Sequence, residues 1–576
     1  MKETLKIFDA FYGGIQKGDK PNIAGAVSNI EEVDIFTNKD YIQPEIIMSP
    51  DALVGGIKTI SLGSGGTGYT VDDVITVVQS GGANGTITVN TVDETGAILA
   101  YTLLAPGTNY SIANGLTVTG GTGSGATINI LAIDSEIYTF DIDAADTLYG
   151  YGKETTHNYV RIFSLPNAGS DNPGNWSTLF TSTAVGVKTN GIILHHEITE
   201  GGEQKKYLYY ISVGNTLKRY GPLGASPAES TVGTLSGLVN ATDKTWGIRL
   251  FGELYIGNGQ FIAHIDDNGI FTEKKFTLPN GWYGVDAIGL SDRMLILCQN
   301  VNSRLNYSMI YQWDLVATTQ FDDSITIPMG GPQWIVNHKE IIRVLCASNG
   351  IAKIYQLSGS YPIETHTIYN VATETAGQAI SPVQTKTVKE GIFYFGIYKT
   401  DKTGIYALGQ VDEGKPVALV LSKRFDTTDY SKHKPIALFI IGQNFYAVYN
   451  DDGINRISRC EGNNSPTRSS NAVMETIWYD AGDPIIEKDI ANVYLVSYEL
   501  PTNTSLKLYL AKNHGSYSEV KQPNGTNFNN GEYGFYKAEE FKNLRNIKIK
   551  VAFTSNGTFC PKLKAIGLHI IIKDYK

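Results

Sequence analysis

Charge is scarce in this chain: 18% of its 576 residues are charged, and the formal net charge of −10 is spread along the length. No basic stripe follows from that text, so nucleic acid is not expected as a direct partner. Cysteine is scarcer still. Cys298, Cys346, Cys460 and Cys560 are far apart and show no CxxC spacing, which argues against a disulfide framework or a closed zinc site and predicts buried free thiols. No stretch approaches the ~20 apolar residues of a membrane span. Met1-Lys2-Glu3-Thr4-Leu5-Lys6-Ile7 lacks the apolar core of a secretory signal. Synthesis in the cytoplasm without membrane insertion is therefore expected, with export only as part of an assembled particle. Long runs of apolar residues at i, i+3, i+4 and i+7 are also missing, which leaves helices unsupported.

What the chain has instead is 61 glycines and 34 tyrosines, with abundant Thr, Ile, Val and Asn. That mixture favours strands joined by tight turns. At this length a single compact core is too small, and four textures follow one another. Residues 1–56 mix apolar and Pro/Gly text and are expected to form an extended docking arm through Phe8, Phe11, Tyr12, Ile15, Ile23, Val33, Ile35 and Phe36. Residues 57–134 contain a duplication. Gly65-Gly66-Thr67-Gly68-Tyr69-Thr70-Val71 returns as Pro106-Gly107-Thr108-Asn109-Tyr110-Ser111-Ile112, a shift of 41 residues. Each copy runs into a β-branched strand. A phosphate-cradling loop needs a following helix, so these glycines read as turn formers.

Residues 135–470 carry strand-like segments at a blade-like spacing of about 40–50 residues. They begin at Tyr159, Leu208, Leu254, Tyr307, Ile351, Gly404 and Gly453. Seven such units predict a seven-bladed β-propeller. Residues 471–576 alternate in and out over many short strands, the text of an antiparallel β-sandwich whose lysines supply a solvated face. The predicted fold is thus all-β: a seven-bladed propeller, an inserted Gly/Thr-rich two-repeat β-module and a C-terminal β-sandwich.

Tests for chemistry come back empty. No GxSxG elbow, HExxH helix or GxxxxGK[ST] loop is present. His195 and His196 are neighbours, which on a strand point to opposite faces and do not easily share a metal, so they read as surface or turn histidines. Asp141-Ile142-Asp143 and Asp266-Asp267-Asn268-Gly269 read as Asx turns rather than calcium loops. No catalytic, cofactor-binding or metal-binding residue is assigned, and an enzyme is not expected. Trp176, Trp246, Trp282, Tyr283 and Trp334 are candidate exposed contacts for sugars or proteins.

The Gly-Gly-Thr-Gly-Tyr-Thr-Val and Gly-Gly-Thr-Gly-Ser-Gly-Ala-Thr-Ile text of 65–130 resembles a short repeat of tailed-bacteriophage virion proteins. The C-terminal order of Glu475-Thr476-Ile477-Trp478-Tyr479-Asp480-Ala481-Gly482-Asp483-Pro484, the 506–510 strand, Thr554-Ser555-Asn556-Gly557-Thr558 and Pro561-Lys562-Leu563 is similar to the terminal sandwich of phage particle proteins built on propellers. This resemblance implies a virion component of tail, neck or fibre that docks on other virion proteins and on copies of itself, with the propeller facing outwards. Two other readings stay open: a host-recognition protein that binds a receptor or glycan, and a propeller glycoside hydrolase whose paired carboxylates leave no contiguous motif.

Overall fold

The computed structural model describes residues 2–8, 27–36 and 42–371 apart from a few short gaps. It describes 386–572 apart from single residues and the segments 400–402, 411–416, 424–432, 461–467, 480–485, 523–532 (save Phe528) and 538–540. Strands dominate, and the one helical element among the described residues is the short 3-10 turn Val213–Asn215.

Seven four-stranded antiparallel groups follow one another along the chain. They lie at 135–185, 193–234, 247–277, 282–327, 332–369, 386–423 and 433–460, the last completed by Ser49–Pro50 from the N-terminal side. These are blades 1 to 7 of a β-propeller. Each of the seven repeating segments seen in the sequence is the second or third strand of one blade. Several middle strands are covered on both faces: Leu208-Tyr209-Tyr210-Ile211 and Leu295-Ile296-Leu297-Cys298 are buried throughout. A strand buried on both faces reads as a continuous apolar run rather than an alternation.

The chain divides into two compact units. The larger holds Pro50–Thr385 and Ile436–Arg459. Within it neighbouring blades pack through aromatic and aliphatic seams: Tyr151 with Leu208 and Tyr210 between blades 1 and 2, Trp246 and Trp313 between blades 3 and 4. Phe140, Phe163 and Trp176 of blade 1 share a seam with Tyr446 and Val448 of blade 7. Cys298 and Cys346 lie in these seams as buried free thiols, and Cys460 and Cys560 are likewise free and buried.

The β-module belongs to the same unit. Its six strands, Ile57–Thr67, Val74–Val77, Ala83–Val92, Ile98–Thr108, Ala113–Thr119 and Ser124–Ile133, pair in the spatial order first, sixth, fifth, second, third, fourth. The two repeats therefore exchange strands: the first strand of each pairs with the third strand of the other. Gly66 and Gly107, equivalent under the 41-residue shift, have φ of +62° and +63°. A Cβ at either would stand 2.4 Å from the carbonyl oxygen of Ser124 or Ala83, themselves 41 residues apart. Close backbone approach at a left-handed residue, rather than turn formation alone, is what the repeated glycine supplies.

Module and blade 1 meet at a buried ion pair. Asp134 accepts hydrogen bonds from Arg161 Nη1 at 2.6 Å and from the Gly56 N–H at 2.6 Å. Ser135 also accepts from Arg161. The module's two ends are held together, since the Asp134 N–H donates to the Gly56 carbonyl at 2.8 Å.

The smaller unit holds Met1–Ser49, Lys386–Pro435 and Cys460–Lys576. A nine-stranded sheet runs from blade 6 through Val27–Glu31 and Val473–Thr476 to Ile547–Thr554, Ser505–Lys512 and Ser518–Val520. A second sheet orders Lys2–Phe8, Leu563–Ile572, Lys488–Ser497 and Tyr533–Lys537. Leu506, Leu508 and Val551 of the first sheet and Val493, Leu495 and Leu568 of the second belong to one core.

The docking arm is corrected here. Val33 and Ile35 are fully buried in that core and Phe36 packs against it, while Phe8 ends a strand paired with Ile566–Ile572. Phe11, Tyr12, Ile15 and Ile23 lie outside the described residues. The reason is physical: strand 563–572 and strand 473–476 each have an open edge in the C-terminal text alone, and N-terminal strands close both.

Candidate functional site

The aromatic residues singled out in the sequence do not form an exposed surface. Trp176 and Trp246 are buried between blades, Trp334 is fully buried, and Trp282 and Tyr283 are half-buried. Trp282 packs near Tyr307 and Tyr311, with ring centroids 5.7 and 6.1 Å away. Large rings are consumed here by the wedge-shaped gaps between twisted blades.

The histidines also differ from expectation. His195 and His196 are 3% and 4% exposed on strand Ile193–Glu200 of blade 2. The His195 ring stacks on Tyr149 of blade 1 with 6.1 Å between centroids. Asp143 and Asp266 do form Asx turns. Asp143 accepts the N–H groups of Ala145 and Thr147 at 2.9 Å each, and Asp266 accepts those of Asn268 and Ile270.

Asp141 does something else, which the sequence did not reveal. At two blade boundaries a first strand donates an N–H to a carboxylate of the preceding blade. Asp141 of blade 1 accepts the His195 N–H of blade 2 at 2.6 Å, and Asp286 of blade 4 accepts the Ile335 N–H of blade 5 at 2.8 Å. Blade 3 sends a cation toward each. Arg249 Nη2 lies 2.5 Å from Asp141, and Lys244 Nζ donates to Gln333 at 2.9 Å while feeling the charge of Asp286. Two polar clusters thus bridge neighbouring blades of the larger unit, Asp141 with His195 and Arg249, and Asp286 with Ile335.

Burial governs their protonation. It pushes the Asp141 carboxyl up, against the opposing pull of Arg249 and of the His195 N–H. It pulls the Lys244 ammonium down to about 8, and Asp286 offsets part of that. Burial and the Arg249 charge bring His195 down to about 4, against Asp143 and Glu197. The neutral imidazole is therefore the folded form near neutrality. Its stabilising effect is complete above the unfolded value of 6.5 and is lost as the pH falls from there through 4, a difference of ~3 kcal/mol. His195→Phe, which keeps the ring against Tyr149, is expected to flatten the decline in urea-unfolding stability across that window; an unchanged slope would assign the acid sensitivity elsewhere.

Among the described residues no group of His, Cys, Asp and Glu side chains is arranged to hold a metal ion.

No family of known proteins matches the chain by sequence, and no curated protein matches it. Among solved structures it is similar to Raptor from Chaetomium thermophilum, at 9% identity over 57% of this chain and 28% of that one, TM-score 0.37. The chain thus spans little more than a quarter of Raptor. It is also similar to the exo-β-1,3-galactanase of Phanerochaete chrysosporium, at 13% identity over 76% and 96%, TM-score 0.25. A glycoside hydrolase family 43 arabinoxylan arabinofuranohydrolase from Bacillus subtilis gives 10% identity over 77% and 97%, TM-score 0.25. Likenesses this distant transfer no activity, ligand or partner.

They do overturn one expectation. An enzyme was not expected because no familiar motif was found, yet glycoside hydrolases are among the structures this chain resembles. Acid and base carboxylates set on separate blades leave no contiguous motif, so motif absence is no ground for that exclusion.

Proposed function

We propose that this chain is a component of a tailed-bacteriophage particle, of the tail, neck or fibre, that docks on other virion proteins through its inserted β-module. The observation that carries the docking role is the module's surface. Val71 and Ile112, equivalent in the two repeats, are 52% and 53% exposed, and Leu99, Leu104 and Leu131 are exposed with them. Within 57–133 the charged residues are Lys58, Asp72, Asp73, Asp93 and Glu94 alone. An apolar, charge-poor surface of this kind favours burial against a partner. The phage setting rests on the resemblance of the repeat and of the terminal sandwich.

The module can be tested directly, because its ends meet at Gly56 and Asp134. Replacing 57–133 by a short glycine linker is expected to leave a cooperatively melting protein that no longer enters particles. Tailed particles purified from the source should contain the intact chain by mass spectrometry. Absence of the chain from such particles would sink the virion reading; normal incorporation of the linker variant would sink the role of the module.

A further inference from the structure

We propose that Arg343, at the first hairpin of blade 5, anchors a binding site for a single carboxylate group. The residue lies on strand Ile341–Ser348, opposite Val336 of strand Pro332–His338, and is 3% exposed. One nitrogen fixes its guanidinium. Nη1 donates to His338 Nδ1 and to the His338 carbonyl, each at 2.9 Å. An arginine only donates, so His338 Nδ1 is an acceptor and its ring is neutral. Among the described residues Nε and Nη2 of Arg343 make no hydrogen bond. Their N–H groups point to the same side, away from Cδ. They form the edge with which Arg293 holds both oxygens of Asp292, at 3.0 and 2.6 Å. At Arg343 that edge is unspent, and neither nitrogen is sealed from solvent. Orientation is secured before any ligand arrives, which lowers the entropy cost of binding.

The second observation is the missing counter-charge. Arg161 and Arg343 are the two buried arginines among the described residues. Arg161 has the Asp134 carboxylate at 2.6 Å. Burial pushes the Arg343 guanidinium below its ordinary value, and no neighbouring charge acts on it. Glu340, the nearest acid in sequence, is exposed on the hairpin turn. A buried cation without a counter-ion is costly, and so are buried donors without acceptors. A ligand that brings one negative charge and two coplanar oxygens removes both deficits. Because His338 is neutral, a single positive charge awaits balance, and a dianion would leave a buried negative charge uncompensated.

Two sources share this chemistry, a small organic acid and a sugar acid, and ligand-observed NMR with the full chain at pH 7 separates them. Sodium acetate and sodium glucuronate are the probes, with inorganic phosphate and chloride as competitors. Arg343→Met removes the charge and the edge while keeping most of the stem's packing; Arg343→Lys keeps the charge and removes the edge alone. Binding of acetate or glucuronate that weakens about tenfold or more in both variants supports the site. Acetate bound as tightly as glucuronate, or more tightly, identifies a small organic acid, and tighter glucuronate identifies a sugar acid. A melting scan gives a second readout: acetate should raise the wild-type melting temperature above its value in equal chloride, and should not do so in Arg343→Met. Unchanged binding in Arg343→Lys, chloride or phosphate displacing the probe as well as acetate does, the same acetate shift in wild type and Arg343→Met, or no binding of either probe overturns the proposal. This test is independent of the virion reading, since it requires no particle.

Discussion

Removing residues 1–36 is expected to destroy the smaller unit rather than release a flexible arm. The deletion takes away Lys2–Phe8, which pairs seven residues with Ile566–Ile572, and Val27–Glu31, which lies between Ala418–Lys423 and Val473–Thr476 in the nine-stranded sheet. It also removes Val33 and Ile35, each fully buried. Burying two such side chains contributes ~3–6 kcal/mol, and the loss of an interior strand strips hydrogen-bond partners from both neighbours. Against a typical total stability of about 5–15 kcal/mol, that loss is decisive. The truncated chain should be insoluble, or should melt without a cooperative transition from the smaller unit. A soluble variant with full-amplitude cooperative melting would restore the arm reading.

The second large effect belongs to the pair that joins module to propeller. Asp134→Ala leaves the Arg161 guanidinium buried without its counter-charge and strands the Gly56 N–H, which now donates to Asp134 Oδ1 at 2.6 Å. Breaking a buried pair from one side typically costs ~3–5 kcal/mol. The double variant Asp134→Ala with Arg161→Met should lose much less, because no uncompensated charge remains. Denaturant midpoints for the two variants and their combination check this. A single-variant loss below ~1 kcal/mol, in the range of a surface ion pair, would mean that water reaches Arg161 and replaces the carboxylate.

Repetition was legible where burial repeats. Tyr159–Leu165, Leu208 to Ser212 and Gly404 to Leu408 are each a middle strand of a blade, covered on both faces, and their apolar runs stand out for that reason. The module's duplication was equally plain, with Gly66 and Gly107 marking the same position in each copy. What stayed hidden was pairing between distant segments. The exchange of strands between the two repeats leaves no trace in the residues of either, and Val33, Ile35 and Phe36 read as unburied because their covering strands lie some 370 to 540 residues away.

The candidate site shows the same division. Asp141 and Asp143 are two residues apart and look alike in sequence, yet one caps a turn while the other bridges to His195 and Arg249. Local hydrogen-bonding preference decides the first case; the neighbouring blades decide the second. Composition, periodicity and the glycine repeat were enough by themselves to determine an all-β chain with a propeller and a duplicated module, because strand, turn and buried seam each impose a local pattern. Only the tertiary structure decided that the N-terminal residues complete a sandwich core, that Trp176 and Trp246 fill blade seams and that Asp141 bridges His195 and Arg249. Those outcomes depend on which surfaces meet, and a strand's own residues do not specify its partner.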